Sequence, residues 1–100
     1  MHLATFLGSK NERLRHRAAE ALRFMRDKRV VPFLAKLLDN PDREVQYNAM
    51  MGIAEATKPR PHAISPEWFT AKENFDRDPE RYLNLCRAWW QEHKHEYVTP

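Results

Sequence analysis

The sequence of 100 residues has only two glycines and one cysteine, and it contains no long apolar run. Each shortage excludes something. A single cysteine, Cys86, cannot form an internal disulfide, which suits a reducing compartment such as the cytoplasm. A run of about 18 apolar residues would be needed to span a membrane, and none occurs. No secretory leader pattern precedes the first helical segment, which begins almost at once. With so few glycines there is no glycine-rich loop to cradle a phosphate. The G-x-S-x-G and H-E-x-x-H patterns are also missing. Strand-like alternation of apolar and polar residues is absent too.

What is present points to helices. Apolar residues make up 42% and charged residues 31%, a balance that fits a folded chain. Ala, Leu, Glu, Arg and Lys dominate, and all are good helix formers. One hundred residues suit one domain with a small core. The net charge is +3 but unevenly placed. Between Lys10 and Arg29 stand eight Lys or Arg and only three acids, leaving the remainder slightly acidic. Such a cluster either attracts an acidic partner or nucleic acid, or forms the solvated face of a helix.

The chain overlays itself after a shift of 31 residues. Leu3 falls on Leu34, Phe6 on Leu37, Leu7 on Leu38, Leu14 on Val45, Ala18 on Ala49 and Leu22 on Ile53. Ser9 falls on Asn40, and both are good N-caps. Apolar, small and capping positions therefore coincide together. The spacing of Leu14, Ala18, Ala21, Leu22 and Met25 predicts one face of a helix over 10–26, opened by a Ser9–Glu12 capping box. Asp27 then caps a second helix over 28–39, with Val31, Leu34, Leu37 and Leu38 inward. Asn40 and Pro41 open a third over 41–57, with Val45, Ala49, Ile53 and Ala56 inward.

The segment VVPFLAKLLDNPDREVQYNA, Val30 to Ala49, resembles the HEAT-repeat family, most of all its short-repeat, phycobilisome-lyase-like subclass. The shared features are the short second helix with Val-Pro, the D-x-P-D turn, and an alanine four residues after the next valine. The resemblance implies an all-α fold, an α-solenoid of antiparallel helix hairpins. The repeats are expected over 1–57, the first incomplete, and 58–100 forms a proline-rich loop and a helical C-terminal cap in the same domain.

Lys58 to Ser65 carries prolines that stop a helix. Ser65 and Pro66 then predict a helix over 66–75, in which Trp68 takes the place of Leu34 and Phe75 lies near the end. Asp78 and Pro79 predict a last helix over 79–96 with Tyr82, Leu85, Cys86, Trp89, Trp90, His93 and Tyr97 along a broad face. Trp89 and Trp90 point about 100° apart, so one can enter the core while the other forms an edge or an anchor.

The family resemblance implies an interaction scaffold without catalysis or cofactor, its partner a protein of unknown identity. In such arrays the second helices line a concave binding surface. The expected partner-binding residues are therefore Lys28, Arg29, Phe33 and Lys36, with His2 and Thr5 on the neighbouring ridge. Phe33 is off the inward stripe, so it is either an exposed anchor or packs against the 66–75 helix. An incomplete first repeat leaves Leu3, Phe6 and Leu7 to close on another copy, which makes self-association an expectation.

Two other functions stay open. The basic 10–29 segment suggests nucleic-acid binding, although its arginines spread around a first helix. The subclass suggests an accessory to bilin attachment, although no residue for that reaction is evident. Some HEAT proteins hold iron with repeated His-Glu pairs to hydroxylate a modified lysine. Here His95-Glu96 is the only such pair and lies in the cap. Cys86 and His93 share a helix face, but a zinc site would need two further ligands, so no metal is expected.

Overall fold

The structure is a computed structural model, and it describes residues 10–57 and 67–97. Helix α1 spans Glu12–Phe24. It begins later than the Ser9–Glu12 box would have it, because Asn11 is the cap. The Asn11 side chain accepts from the backbone N–H of Arg13 at 3.0 Å and Leu14 at 3.4 Å. Asn caps at least as well as Ser and sits beside the apolar pattern. Ser9 lies outside the described residues. The inward stripe is also rotated from the expected one. Ala18, Ala19 and Leu22 are buried, while Leu14, Ala21 and Met25 are exposed. After Met25, Arg26 takes a left-handed φ of 50°, the conformation that usually favours glycine just past a helix end.

Asp27 accepts the Arg29 amide at 2.9 Å and opens a 3-10 turn, Lys28–Val30. Helix α2, Val31–Leu37, follows with a proline in its first turn. Val31, Leu34, Ala35, Leu37 and Leu38 are buried, so the expected face of this element stands.

Helix α3 spans Arg43–Thr57. The expected cap, Asn40, instead turns the chain by accepting the Asp42 amide at 2.9 Å. Asp42 does the capping, accepting from Glu44 at 2.9 Å and Val45 at 3.4 Å, which leaves Pro41 outside the helix. Val45, Ala49, Ile53 and Ala56 are buried as expected, but α3 buries eleven of its fifteen residues. A helix hidden nearly all round is a central one. Both α1 and α2 pack on α3. The helices come close together at Gly52, where a Cβ would stand 3.0 Å from both Arg23 Cα and Leu34 Cδ1.

Helix α4 is Lys72–Arg77, not 66–75, and Trp68 is buried in a turn rather than a helix. Contacts distant in sequence set this geometry. The Tyr47 hydroxyl donates to the Thr70 carbonyl at 2.8 Å, its ring meets Phe75 at 5.3 Å, and Trp68 meets Trp89 edge-on at 6.1 Å. Helix α5, Pro79–His93, continues as a 3-10 turn, Lys94–Glu96. It buries Leu83, which the aromatic pattern obscured, together with Cys86. Tyr82, Leu85, Trp89, Trp90 and Tyr97 are half-buried against the core. Arg87 donates to the Leu38 carbonyl at 3.0 Å and to Asp39 at 3.1 Å, fastening α5 beside α2. The place beside α2 expected for the 66–75 segment is thus bordered by α5.

Candidate partner-binding surface

The exposed side of α2 and its 3-10 lead-in carries the four expected residues. Lys28, Arg29 and Lys36 are exposed, and Phe33 is half-buried, packed on the core. Arg29 is not an idle cation. Its guanidinium grips Asp27 through three contacts of 2.8–3.2 Å, next to the Asp27–amide bond that opens the turn. The Arg29 side-chain and backbone hydrogen bonds hold the Asp27 carboxyl below the usual carboxylate range. The pair is open to water, so it shapes the turn more than it stabilises the fold.

Beside α2 lies a groove of about 490 Å³ lined by Pro32, Ala35, Lys36, Leu38, Arg87 and Trp90, among others. Only Lys36 of the four expected residues lines it. The groove exists because Arg87 ties α5 to the end of α2, a contact of 48 residues' separation that no local pattern announces. Trp90 was visible in the sequence as the edge partner of Trp89, and it is the one groove residue on α5 with a readable signal.

Four of the eight basic residues of the 10–29 segment, Arg15, Arg23, Arg26 and Arg29, pair with carboxylates of this chain. Arg15 Nε donates to Asp42 at 3.0 Å, Arg23 to Glu55 at 2.7 Å and to Asn48 at 3.0 Å, and Arg26 lies 3.7 Å from Glu55. His16 Nε2 also meets both oxygens of Asp42, at 3.0 and 3.1 Å. Burial pushes the Asp42 carboxyl up, but the hydrogen bonds from Arg15, His16 and the Glu44 amide outweigh it and hold the group below its ordinary value. Asp42 therefore caps α3 and clamps the start of α1 to it.

Cys86 is buried in the core, and His93 packs on Trp89. Burial drives the Cys86 thiol far above its ordinary value, so it stays protonated. His93 Nδ1 lies 2.8 Å from the Trp89 carbonyl and therefore donates to it, and the ring stacks on Trp89 at 4.5 Å. Among the described residues no three His, Cys, Asp or Glu side chains group as a metal site would. Nor is any described helix long and apolar enough to cross a membrane. His2, Leu3, Thr5, Phe6 and Leu7 lie outside the described residues, as does the 58–66 segment.

Stacked hairpins around a central helix, repeating at 31 residues, define an all-α helical-repeat protein. The family model for HEAT repeats matches residues 2–65, more than half of the chain, and the chain belongs to the HEAT-repeat family. The match runs past 57 into the proline-punctuated segment. No curated protein and no solved structure matches the chain. HEAT repeats generally mediate protein–protein interaction, and HEAT proteins are typically non-catalytic scaffolds.

Proposed function

We propose that this chain is a non-catalytic interaction scaffold, in the cytoplasm, that holds a protein partner on the exposed side of α2 through Lys28, Arg29, Phe33 and Lys36. The observation that supports the proposal, at Lys36, is the groove beside α2; Lys28, Arg29 and Phe33 are proposed from their place on the second helix of the repeat. The groove combines an apolar floor (Pro32, Ala35, Leu38), one aromatic wall (Trp90) and the exposed cation of Lys36. Apolar anchoring with a few polar fixtures is how compact binding surfaces work. Photo-crosslinking in cells tests it. A photoreactive residue at 33 or 36 should yield one discrete protein adduct, while the same residue at Glu73 on α4 should yield none. Adducts at all three positions, or at none, reject this surface.

Self-association through Leu3, Phe6 and Leu7 is a separate part of the proposal. Light scattering across a concentration series should show a dimer that Phe6→Glu dissociates. A monomer at every concentration rejects it. Nucleic-acid binding is the weaker reading, because Arg15, Arg23, Arg26 and Arg29 already face carboxylates of this chain. No observation favours a bilin-attachment role or assignment to the phycobilisome-lyase-like subclass.

A further inference from the structure

Among the described residues, three of the four large apolar side chains left exposed lie on or directly after α1: Leu14 at 39%, Phe24 at 55% and Met25 at 51%. Leu14, Arg17, Ala21 and Phe24 follow one another at three- and four-residue steps, so they form one stripe along the helix. The 31-residue repeat gives the stripe a meaning. Shifted by 31, Arg17 falls on Asn48, Ala21 on Gly52 and Phe24 on Glu55. Those three α3 residues make the interface with α1: Asn48 and Glu55 accept from Arg23, and Gly52 admits the Arg23 backbone. The α1 stripe is therefore the repeat equivalent of an interface that already exists one unit later, with a small residue, Ala21, again at the place where Gly52 admits its neighbour. On α3 that face is covered by a helix. On α1 it is open.

We infer that this stripe docks an acidic amphipathic helix from a partner protein, seated as α1 is seated on α3. Charge selects the occupant. Where α3 offers an acceptor and a carboxylate to an incoming arginine, α1 offers a cation, Arg17, and a phenyl ring, Phe24. Arg13 and Arg17 have no ion-pair partner among the described residues. An arginine-bearing helix would meet like charge, and a second copy of α1 would bring the net positive 10–29 segment against itself. A helix with a carboxylate where α1 has Arg23 meets Arg17 instead. This rests on the scaffold reading but uses a different face from α2, so the two succeed or fail separately.

The probe is a hydrocarbon-stapled peptide spanning residues 10–27, the helix type that α3 accepts, in two forms: the native sequence and Arg23→Glu. Binding is titrated by NMR on the full chain. The Arg23→Glu peptide should bind about tenfold more tightly than the native one, the scale of a single well-placed charge pair. Arg17→Glu in the protein should reverse that preference. Ala21→Trp should remove binding of both peptides without changing thermal unfolding, since Ala21 is exposed. Equal binding of the two peptides, no binding by either, or a preference unmoved by Arg17→Glu would overturn the inference. Two other outcomes would also overturn it by showing another occupant. One is a dimer that Ala21→Trp dissociates. The other is salt-steep binding of a short DNA duplex that Arg17→Glu abolishes.

Discussion

Helices α1 and α3 occupy the same position in successive repeats, yet one is buried on a single side and the other almost all round. Ala21 and Gly52 are equivalent by the repeat, and so are Phe24 and Glu55, but their surroundings are opposite. At Gly52 a Cβ would crowd the Arg23 backbone and the Leu34 side chain at 3.0 Å, whereas Ala21 is open. The polar Asn48 is buried and satisfied on α3, donating to the Glu44 carbonyl at 3.1 Å and accepting from Arg23. Large apolar residues on α1 are meanwhile left in water. A repeat unit thus sets the shape of a face, and its place in the array decides whether that face is core or surface.

The sharpest way to break this equivalence is to enlarge both small residues. Gly52→Leu should destabilise the fold by about 3 kcal/mol, because an overpacked helix crossing must part. Ala21→Leu should change stability by less than about 0.5 kcal/mol. Urea denaturation of the two variants checks this, and similar losses would mean that α1 is buried on both sides. Truncation gives the next largest contrast. Leu22→Ala removes a fully buried side chain and should cost about 3 kcal/mol, while Leu14→Ala should cost under about 1 kcal/mol.

The two repeats also use their caps unequally, and pH exposes the difference. Asp42→Ala should cost about 2 kcal/mol at neutral pH, by removing the α3 cap and the bonds from Arg15 and His16. Asp42→Asn can keep the cap and should cost less. Because the folded carboxyl lies below its unfolded value, its stabilisation is complete above about pH 4 and disappears as pH falls through the folded pKa. The gap between wild type and Asp42→Asn should therefore close on acidification. A gap that widened would contradict the depressed pKa. Arg29→Ala, at the exposed Asp27 pair, should leave the unfolding midpoint unchanged.

Much of this arrangement was readable from the chain alone, and the failures fall at particular places. The inward faces of α2 and α3 followed from spacing, because Val31, Leu34, Val45, Ala49 and Ile53 obey the helical period. So did the opening of α5 at Pro79. The misplacements arose where two local signals competed or where a distant contact prevailed. Ser9 and Asn11, like Asn40 and Asp42, are all competent caps within two residues, and spacing alone does not choose between them. Pro66 is a sound helix-opening signal, but Tyr47 holds the Thr70 carbonyl and Trp89 holds Trp68, and the helix starts only at Lys72. The aromatic residues of α5 hid Leu83, the side chain that its core burial selects. Of the candidate surface, Lys36 was legible as an exposed cation. The groove it borders was not, because it depends on Arg87 reaching the end of α2.

A smaller contrast between the repeats concerns how the two equivalent helices end. Arg26 and Thr57 correspond under the repeat, but Arg26 is left-handed after α1 while Thr57 is still helical and donates its hydroxyl to the Ile53 carbonyl at 2.6 Å. A side chain in the left-handed region costs about 1 kcal/mol relative to glycine, whereas glycine in a helix costs a similar amount. Arg26→Gly should thus raise stability by up to about 1 kcal/mol, reduced by whatever the 3.7 Å contact with Glu55 contributes. Thr57→Gly should lower it by about 1 kcal/mol. The same substitution, made at one repeat position in successive units, is expected to act with opposite signs in thermal unfolding. Equal signs would show that the two helices end alike and that the repeat extends further than α1 and α3 now suggest.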